Sequence, residues 1–172
     1  MIGKKTAEAI NKQINAELYS SYLYLSMSAY ATNIGMKGTA HWLFVQAQEE
    51  ATHAMRFYNY LNDQGVHVKL EAIKQPPVQF KSVLDIFEAV LKHEYHVTAL
   101  IHGLVDIAAK EKDPATGVML QWFVTEQVEE EANASEIIGK LKLAGNNGGG
   151  LFMIDKDLGT RMFAPPPDLV LP

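Results

Sequence analysis

The sequence contains no cysteine. This absence excludes a disulfide-stabilised fold, a thiolate zinc or rubredoxin-type iron site, and a cysteine nucleophile. It fits a reducing cytoplasm, which is the location we expect. Residues 1–6 lack the apolar block of a signal peptide, and no apolar run approaches the roughly 18 residues of a membrane span. We therefore expect no membrane partner.

Positive charge is also scarce, because 15 lysines and arginines stand against 20 aspartates and glutamates, for a formal net charge of −5. This balance argues against a nucleic-acid partner and does not oppose cationic ligands. The 172 residues correspond to one domain by length, and a hydrophobic content of 48% is enough for a sizeable core. The sequence thus predicts one folded domain.

Turn residues divide the chain into four long segments with helical character. Gly65 stands in the C′ position after the second segment. Ser82 and Asp85 form a capping box at the start of the third. Asp113 and Pro114 provide an N-cap and an N1 proline for the fourth. The predicted helices cover residues 6–33, 39–64, 82–111 and 113–144.

The connection between the second and third helices is unusually long. Residues 66–81 contain Pro76-Pro77, have no helical period and could span about 50 Å when extended. Antiparallel neighbours need only a few residues, so we expect these two helices to run parallel through one crossover. The chain is then all-α, with a four-helix bundle in residues 1–145, a glycine-rich joint and short fifth helix in 146–160, and an extended tail in 161–172.

A possible metal centre begins with Glu50, which falls in the middle of the apolar stripe of the second helix. A buried carboxylate costs several kcal/mol (order of magnitude) unless something neutralises it. His53 follows at i+3, so an oxygen and a nitrogen point the same way. By itself, such a pair is more often a surface glutamate beside a half-buried histidine.

The other three helices carry oxygen ligands on the same kind of face. Each ligand is close to the midpoint of its helix, and a midpoint keeps its level whichever way the helix runs. These residues are Glu17, Glu94, Gln127 and Glu130. One such residue could be a hydrogen-bonded polar side chain, but all of them at one level, with a histidine, indicate a site for two iron or manganese ions. Glu50 is then the natural bridge between the two ions.

At these residues the chain closely resembles the bacterial non-haem ferritins. The resemblance extends over about residues 1–160. It is carried by Glu17 with the Leu-Tyr-Ser-Ser-Tyr-Leu-Tyr-Leu that follows, by Gln48-Glu49-Glu50-Ala51-Thr52-His53-Ala54, by His93-Glu94, by Glu126-Gln127-Val128-Glu129-Glu130-Glu131, and by residues 150–156. It implies a ferritin-like bundle that oxidises iron(II) with dioxygen or peroxide and stores the iron(III) oxide inside a shell of twenty-four copies.

The resemblance also implies roles for individual residues. Glu17, Glu50 and His53 would bind one iron of the ferroxidase centre. Glu50, Glu94 and Glu130 would bind the second, with Gln127 at its edge. Tyr24 would be a hydrogen-bonding or redox neighbour of the centre, although a plain core tyrosine is an alternative.

A third iron site is also implied, at Glu49, Glu126, Glu129 and Glu130. Its alternative, an ordinary solvated acidic face, stays open.

Related families fit less well. Bacterioferritin has a second histidine where this chain has Glu130 and a haem-ligating methionine where it has Thr52, so we expect no haem. A rubrerythrin-type protein would need cysteines. Outside these classes, the alternative is a plain helical interaction module. The apolar tail, residues 161–172, departs from the family pattern, and we expect it to dock onto a neighbouring subunit or to line a symmetry axis.

Overall fold

The computed structural model describes residues 2–165. All the regular secondary structure in this range is helical, as predicted, and none of the helices is both long and apolar enough to span a lipid bilayer. Residues 161–165 have no regular secondary structure, and the rest of the predicted tail lies outside the described residues. The helices are α1 Lys4–Asn33, α2 Lys37–Asp63, α3 Val83–Lys110, α4 Pro114–Ala144 and α5 Gly148–Leu158.

The ends of the long helices are fixed by the signals read from the sequence. Ser82 Oγ accepts a hydrogen bond from the backbone N–H of Asp85 at 3.1 Å. Asp113 Oδ1 accepts one from Thr116 N at 3.0 Å. Gly65 follows α2 with a φ of +71°, a conformation that costs glycine little. Local chemistry therefore sets the helix lengths that place the midpoints at one level.

Helix α5 begins earlier than the sequence suggested. We expected a flexible joint through Gly150 because glycine is a poor helix former. The helix instead begins at Gly148, since Asn147 caps it by accepting a hydrogen bond from Gly150 N at 3.0 Å. The expected joint was therefore too long at its C-terminal end, because a side-chain cap offsets the low propensity of the three glycines.

The connection between α2 and α3 runs along the surface of α1. Near the start of α1, Asn11 and Lys69 exchange two hydrogen bonds of 2.7 Å. Further along, Ser26 Oγ donates to Pro77 O at 2.6 Å, and Tyr30 donates to the carbonyl of Phe80. The segment therefore returns the chain to the opposite end of the bundle, and α2 and α3 run parallel as predicted.

The apolar core consists of two clusters, one towards each end of the bundle. One contains Leu43 and Phe87, and the other contains Ile10 and the stacked rings of Phe57 and Phe123, whose centroids are 4.0 Å apart. A set of buried polar side chains lies between them, which we call the central layer: Glu17, Glu50, His53, Glu94 and Glu130. The four-helix packing thus encloses charge-bearing groups at its middle.

Helix α5 is attached to the start of α2. Asp155 accepts hydrogen bonds from Gly38 N at 3.0 Å and from Thr39 N and Thr39 Oγ1 at 2.7 and 2.8 Å. The N-cap residue Met36 offers no side-chain cap of its own. A Cβ on Gly38 would lie 1.6 Å from the Asp155 carbonyl oxygen, so this close contact requires glycine. Asp155 therefore caps α2 from a distant part of the chain.

Candidate metal centre

The central layer receives one carboxylate from each of the four long helices. All four carboxylates and His53 are at most 4% exposed. Ligand atoms of Glu17, Glu50 and His53 lie within 4.8 Å of one another. Glu17 Oε2 is buried and accepts no hydrogen bond. A buried carboxylate oxygen without a hydrogen-bond donor is costly, and a bound cation would remove that cost.

Two glutamines that the sequence analysis missed hold the carboxylates in place. Gln13 Nε2 donates to Glu17 Oε1 at 2.9 Å. Gln46 Nε2 donates to Glu130 Oε2 at 2.7 Å and more weakly to Glu50 Oε1 at 3.4 Å. Each glutamine precedes the glutamate of its own helix by four residues, which places the two side chains on one face. This spacing is visible in the sequence and could have identified both glutamines.

Glu94 is held by two of the predicted site residues. Tyr24, which is fully buried, donates its hydroxyl hydrogen to Glu94 Oε1. Gln127 Nε2 donates to Glu94 Oε2 at 3.2 Å and lies at the same distance from Thr98 Oγ1. Tyr24 and Gln127 thus both contact one of the three carboxylates to which the resemblance assigns the second ion. In this arrangement Gln127 acts as a hydrogen-bond donor to Glu94.

His53 lies between the central layer and one flank of the bundle. Its Nδ1 is 3.5 Å from Glu50 Oε2, and its Nε2 is 3.9 Å from Glu126 Oε1. The ring packs edge-on against Trp122 and Phe123, with centroid distances of 5.3 and 6.1 Å. These aromatic contacts fix the ring so that Nδ1 faces the carboxylates.

Burial gives the carboxylates unusual protonation behaviour. Burial, with the nearby charge of Glu50, raises the pKa of Glu17 to about 8. Burial, with Glu94 next in effect, raises the pKa values of Glu50 and Glu130 well above the usual range. Burial also raises the pKa of Glu94. Without a cation, four carboxylates so close together favour bound protons, so the layer has the chemistry of a cation site.

The residues predicted to form a third site are more dispersed. We call Glu49, Glu126 and Glu129 the acidic flank; Glu129 is exposed, and the other two are partly buried. Burial raises the pKa of Glu49 and of Glu126. Within residues 2–165, the flank does not form a group of three ligands as close as Glu17, Glu50 and His53.

Arg161 is the charged group on the flank that sequence reasoning did not anticipate. Its guanidinium forms an ion pair with Glu49 and donates to Gln46 Oε1 at 2.5 Å. It also lies over the ring of Trp42, 4.4 Å from the centroid, and its carbonyl accepts a hydrogen bond of 2.8 Å from His41 Nε2. We expect the tail to dock onto a neighbouring subunit or to line a symmetry axis; its first residue contacts α2 of its own chain. The apolar residues Leu169, Val170 and Leu171 lie outside the described range.

A four-helix bundle with one long crossover and a buried layer of carboxylates and histidine defines the ferritin-like class of proteins. The ferritin-like domain family matches residues 7–144. The chain therefore belongs to the ferritin family.

Curated relatives agree. The chain is 48% identical to a bacterial non-heme ferritin of Bacteroides fragilis, covering 94% of this chain and 100% of that protein. It is 42% identical to a bacterial non-heme ferritin of Campylobacter jejuni, covering 91% of this chain and 93% of that protein. Its similarity to the bacterial non-haem ferritins thus extends over nearly its whole length.

Solved structures of an archaeal ferritin are also similar. An Archaeoglobus fulgidus ferritin engineered into a closed form is 49% identical, with a TM-score of 0.94, covering 95% of this chain and 100% of that one. The open-pore ferritin of the same archaeon is 49% identical, with a TM-score of 0.93, covering 94% and 100%. These comparisons support the bundle with its short fifth helix.

Proposed function

We propose that this protein is an iron-storage ferritin that oxidises iron(II) at the central layer and deposits it as an iron(III) oxide mineral. The observation that carries the proposal is the buried group of Glu17, Glu50 and His53, with ligand atoms within 4.8 Å of one another. Membership of the ferritin family supports iron as the cation. Carboxylate oxygens with one imidazole also suit iron better than a thiolate-seeking metal.

Iron(II) is the substrate in this proposal. Glu17, Glu50 and His53 hold one ion, and Glu50, Glu94 and Glu130 hold the second, so Glu50 is shared. Two neighbouring iron(II) ions supply two electrons to one molecule of dioxygen or peroxide. Gln46, Gln127 and Tyr24 hold the carboxylates through the hydrogen bonds described above, which keeps the ligands oriented before iron arrives.

Storage requires a closed assembly, and we propose a shell of twenty-four copies. The exposed faces of the single chain support association, because large apolar side chains lie open on them: Tyr95, Val118, Val128 and Leu143 are 54–91% exposed. Contacts between copies could bury these side chains. The Archaeoglobus relatives are described as an open-pore ferritin and as an engineered closed form.

A third iron position at Glu49, Glu126, Glu129 and Glu130 belongs to the same proposal. It would take iron after the central pair, because its residues are more exposed and less closely gathered. The ion pair between Glu49 and Arg161 bears directly on this position.

The proposal is tested by adding iron(II) aerobically to metal-free protein and following the near-ultraviolet absorbance. Size-exclusion chromatography with iron analysis of the eluted protein follows. We expect rapid oxidation, and iron that co-elutes with a particle of hundreds of kilodaltons. Oxidation no faster than in buffer, with no iron on the protein, would instead favour the helical interaction module.

A further inference from the structure

We propose that Arg161 is the resident cation of the acidic flank and that iron must displace it before binding at Glu49. This inference rests on the proposed function, since it concerns iron beyond the central pair. Arg161, shortly after α5, then controls when the acidic flank accepts metal. The central layer stays accessible to its own two ions.

The contacts of Arg161 describe a built docking position. Trp42, Gln46 and Glu49 are spaced four and three residues apart on α2, so they form one face of that helix. The guanidinium uses all three: it lies over the ring of the first, donates to the amide oxygen of the second, and pairs with the carboxylate of the third. A planar group with donors at both edges suits this arrangement, and a lysine could not reproduce it.

The ion pair is well shielded from water. The side chains of Arg161 and Glu49 are 20% and 19% exposed. The surface pair of Lys142 and Glu88, for comparison, is 58% and 49% exposed. Less solvent means less screening, so the Arg161–Glu49 pair is the stronger competitor for an incoming cation.

Arg161 reaches this position on a rigid support. Helix α5 ends at Leu158, and Asp155 is fixed to the start of α2 by the hydrogen bonds from Gly38 and Thr39. Arg161 follows only a few residues later. Displacement therefore needs only the segment after α5 to move, with α5 itself staying in place.

Iron and the guanidinium compete for Glu49. Both are positive, and the guanidinium already occupies Glu49 Oε2, so an ion that binds this carboxylate is repelled by Arg161 until the arginine moves away. Gln46 also links Arg161 to the central layer, because the glutamine that accepts from Arg161 donates to Glu130. Loss of Arg161 should thus free the flank and leave the Gln46 side-chain amide with one fewer orienting contact.

The test is an anaerobic titration of metal-free protein with iron(II), in which calorimetry measures the binding. For the parent we expect two tight ions per chain and weak binding beyond them. Arg161→Gln should bind a third ion more tightly by about tenfold, or ~1.4 kcal/mol. Adding Glu49→Gln to that variant should abolish the gain. Lys140→Gln, which removes a positive charge near α5 without touching Glu49, should behave as the parent.

The outcomes separate the two proposals. If the parent binds no iron tightly, the proposed function fails. If the parent binds two ions and Arg161→Gln binds the third no better, this inference alone is wrong. An equal gain in Lys140→Gln would also overturn it, because general electrostatics would then account for the effect.

Discussion

Glu17 is the residue in which burial and function are most directly opposed. In the metal-free protein its pKa is raised to about 8 by burial and then by Glu50. Between its usual value of 4.5 and about 8, folded Glu17 keeps a proton that the unfolded chain loses. The stabilisation is therefore complete below the unfolded pKa and is lost as the pH rises through the folded value.

The raised pKa of Glu17 predicts how the stability of the metal-free protein changes with pH. Its melting temperature should fall between about pH 6.5 and about pH 8, because over this range folded Glu17 still holds a proton that the unfolded chain has lost. Below that range His93 acts oppositely, since burial lowers its pKa to about 4. Thermal denaturation across this range should show a flatter slope for Glu17→Gln. Glu88→Gln, at an exposed position, should keep the parental slope, and an unchanged slope in Glu17→Gln would contradict the assignment.

The burial of individual carboxylates could be predicted because helical periodicity fixes the direction in which a side chain points. Glu50 and Glu94 face the core for the reason read from the sequence, namely their position within an apolar stripe. Gln46 was missed because a glutamine is uncharged, so its burial on that stripe did not indicate a function. Arg161 could not be found, because its partner Glu49 is 112 residues away and no periodic pattern relates the two.

At the scale of whole elements, the attachment of α5 to α2 makes a clear prediction. Asp155→Ala removes the acceptor for the first N–H groups of α2 and a negative charge at the helix N-terminus. We expect a loss of about 1–3 kcal/mol, which is the usual range for a cap plus a helix-dipole interaction. The loss should appear as a lower melting temperature of the apoprotein, with the initial rate of iron oxidation retained.

A glycine pair gives the matched comparison. Gly38→Ala should destabilise more than Asp155→Ala, because its Cβ would lie 1.6 Å from a backbone oxygen of α5. Gly139→Ala, in α4 with nothing within 4 Å of the added Cβ, should be neutral or stabilising by up to about 1 kcal/mol. Equal melting temperatures for Gly38→Ala and Gly139→Ala would show that α5 is not held in this contact.

The order and direction of the elements followed from chain length. Residues 66–81 are too many for a tight turn, and the structure uses them to run along α1. The start of α5 was not predictable from propensity alone. Three consecutive glycines favour a flexible joint, and only the structure shows that Asn147 caps a helix there. The docking of Asp155 depends on tertiary contact and left no local signal.

For the whole molecule, two truncations of the C-terminal tail separate the effect of its apolar residues from the effect of Arg161. Ending the chain after Arg161 removes the apolar tail but keeps the Glu49 ion pair, whereas ending it after Thr160 removes both. We expect both truncations to keep the first phase of iron oxidation and to lower the thermal stability of the assembly. Only the shorter chain should take up iron differently after the first phase, because only there is Glu49 released from Arg161. Iron-uptake time courses and melting curves measure these effects, and a lost first phase in an intact assembly would contradict the placement of the tail.

The size of the assembly was the part of the whole molecule that residue patterns could not supply. Helical wheels locate the buried faces but give no number of copies. The exposed Leu143 and Val118 show that apolar surface remains on the outside. The number twenty-four came from family resemblance alone.

The central claim is that Glu50 serves both ions, and one comparison tests it most directly. Aerobic iron(II) oxidation should be followed for the parent, Glu50→Ala and the exposed control Glu88→Ala. Apo melting temperature and elution volume should be measured on the same samples. We expect Glu50→Ala to lose the rapid phase by about a hundredfold or more, or ~2.7 kcal/mol of barrier.

The same variant should fold and assemble as the parent does, because removing one of several buried carboxylates relieves repulsion and desolvation. Water can also occupy the polar space that it leaves. Glu88→Ala should match the parent in every measurement. An oxidation rate in Glu50→Ala equal to the parental rate would contradict the di-iron account, and an apoprotein that fails to fold would make Glu50 a structural residue instead.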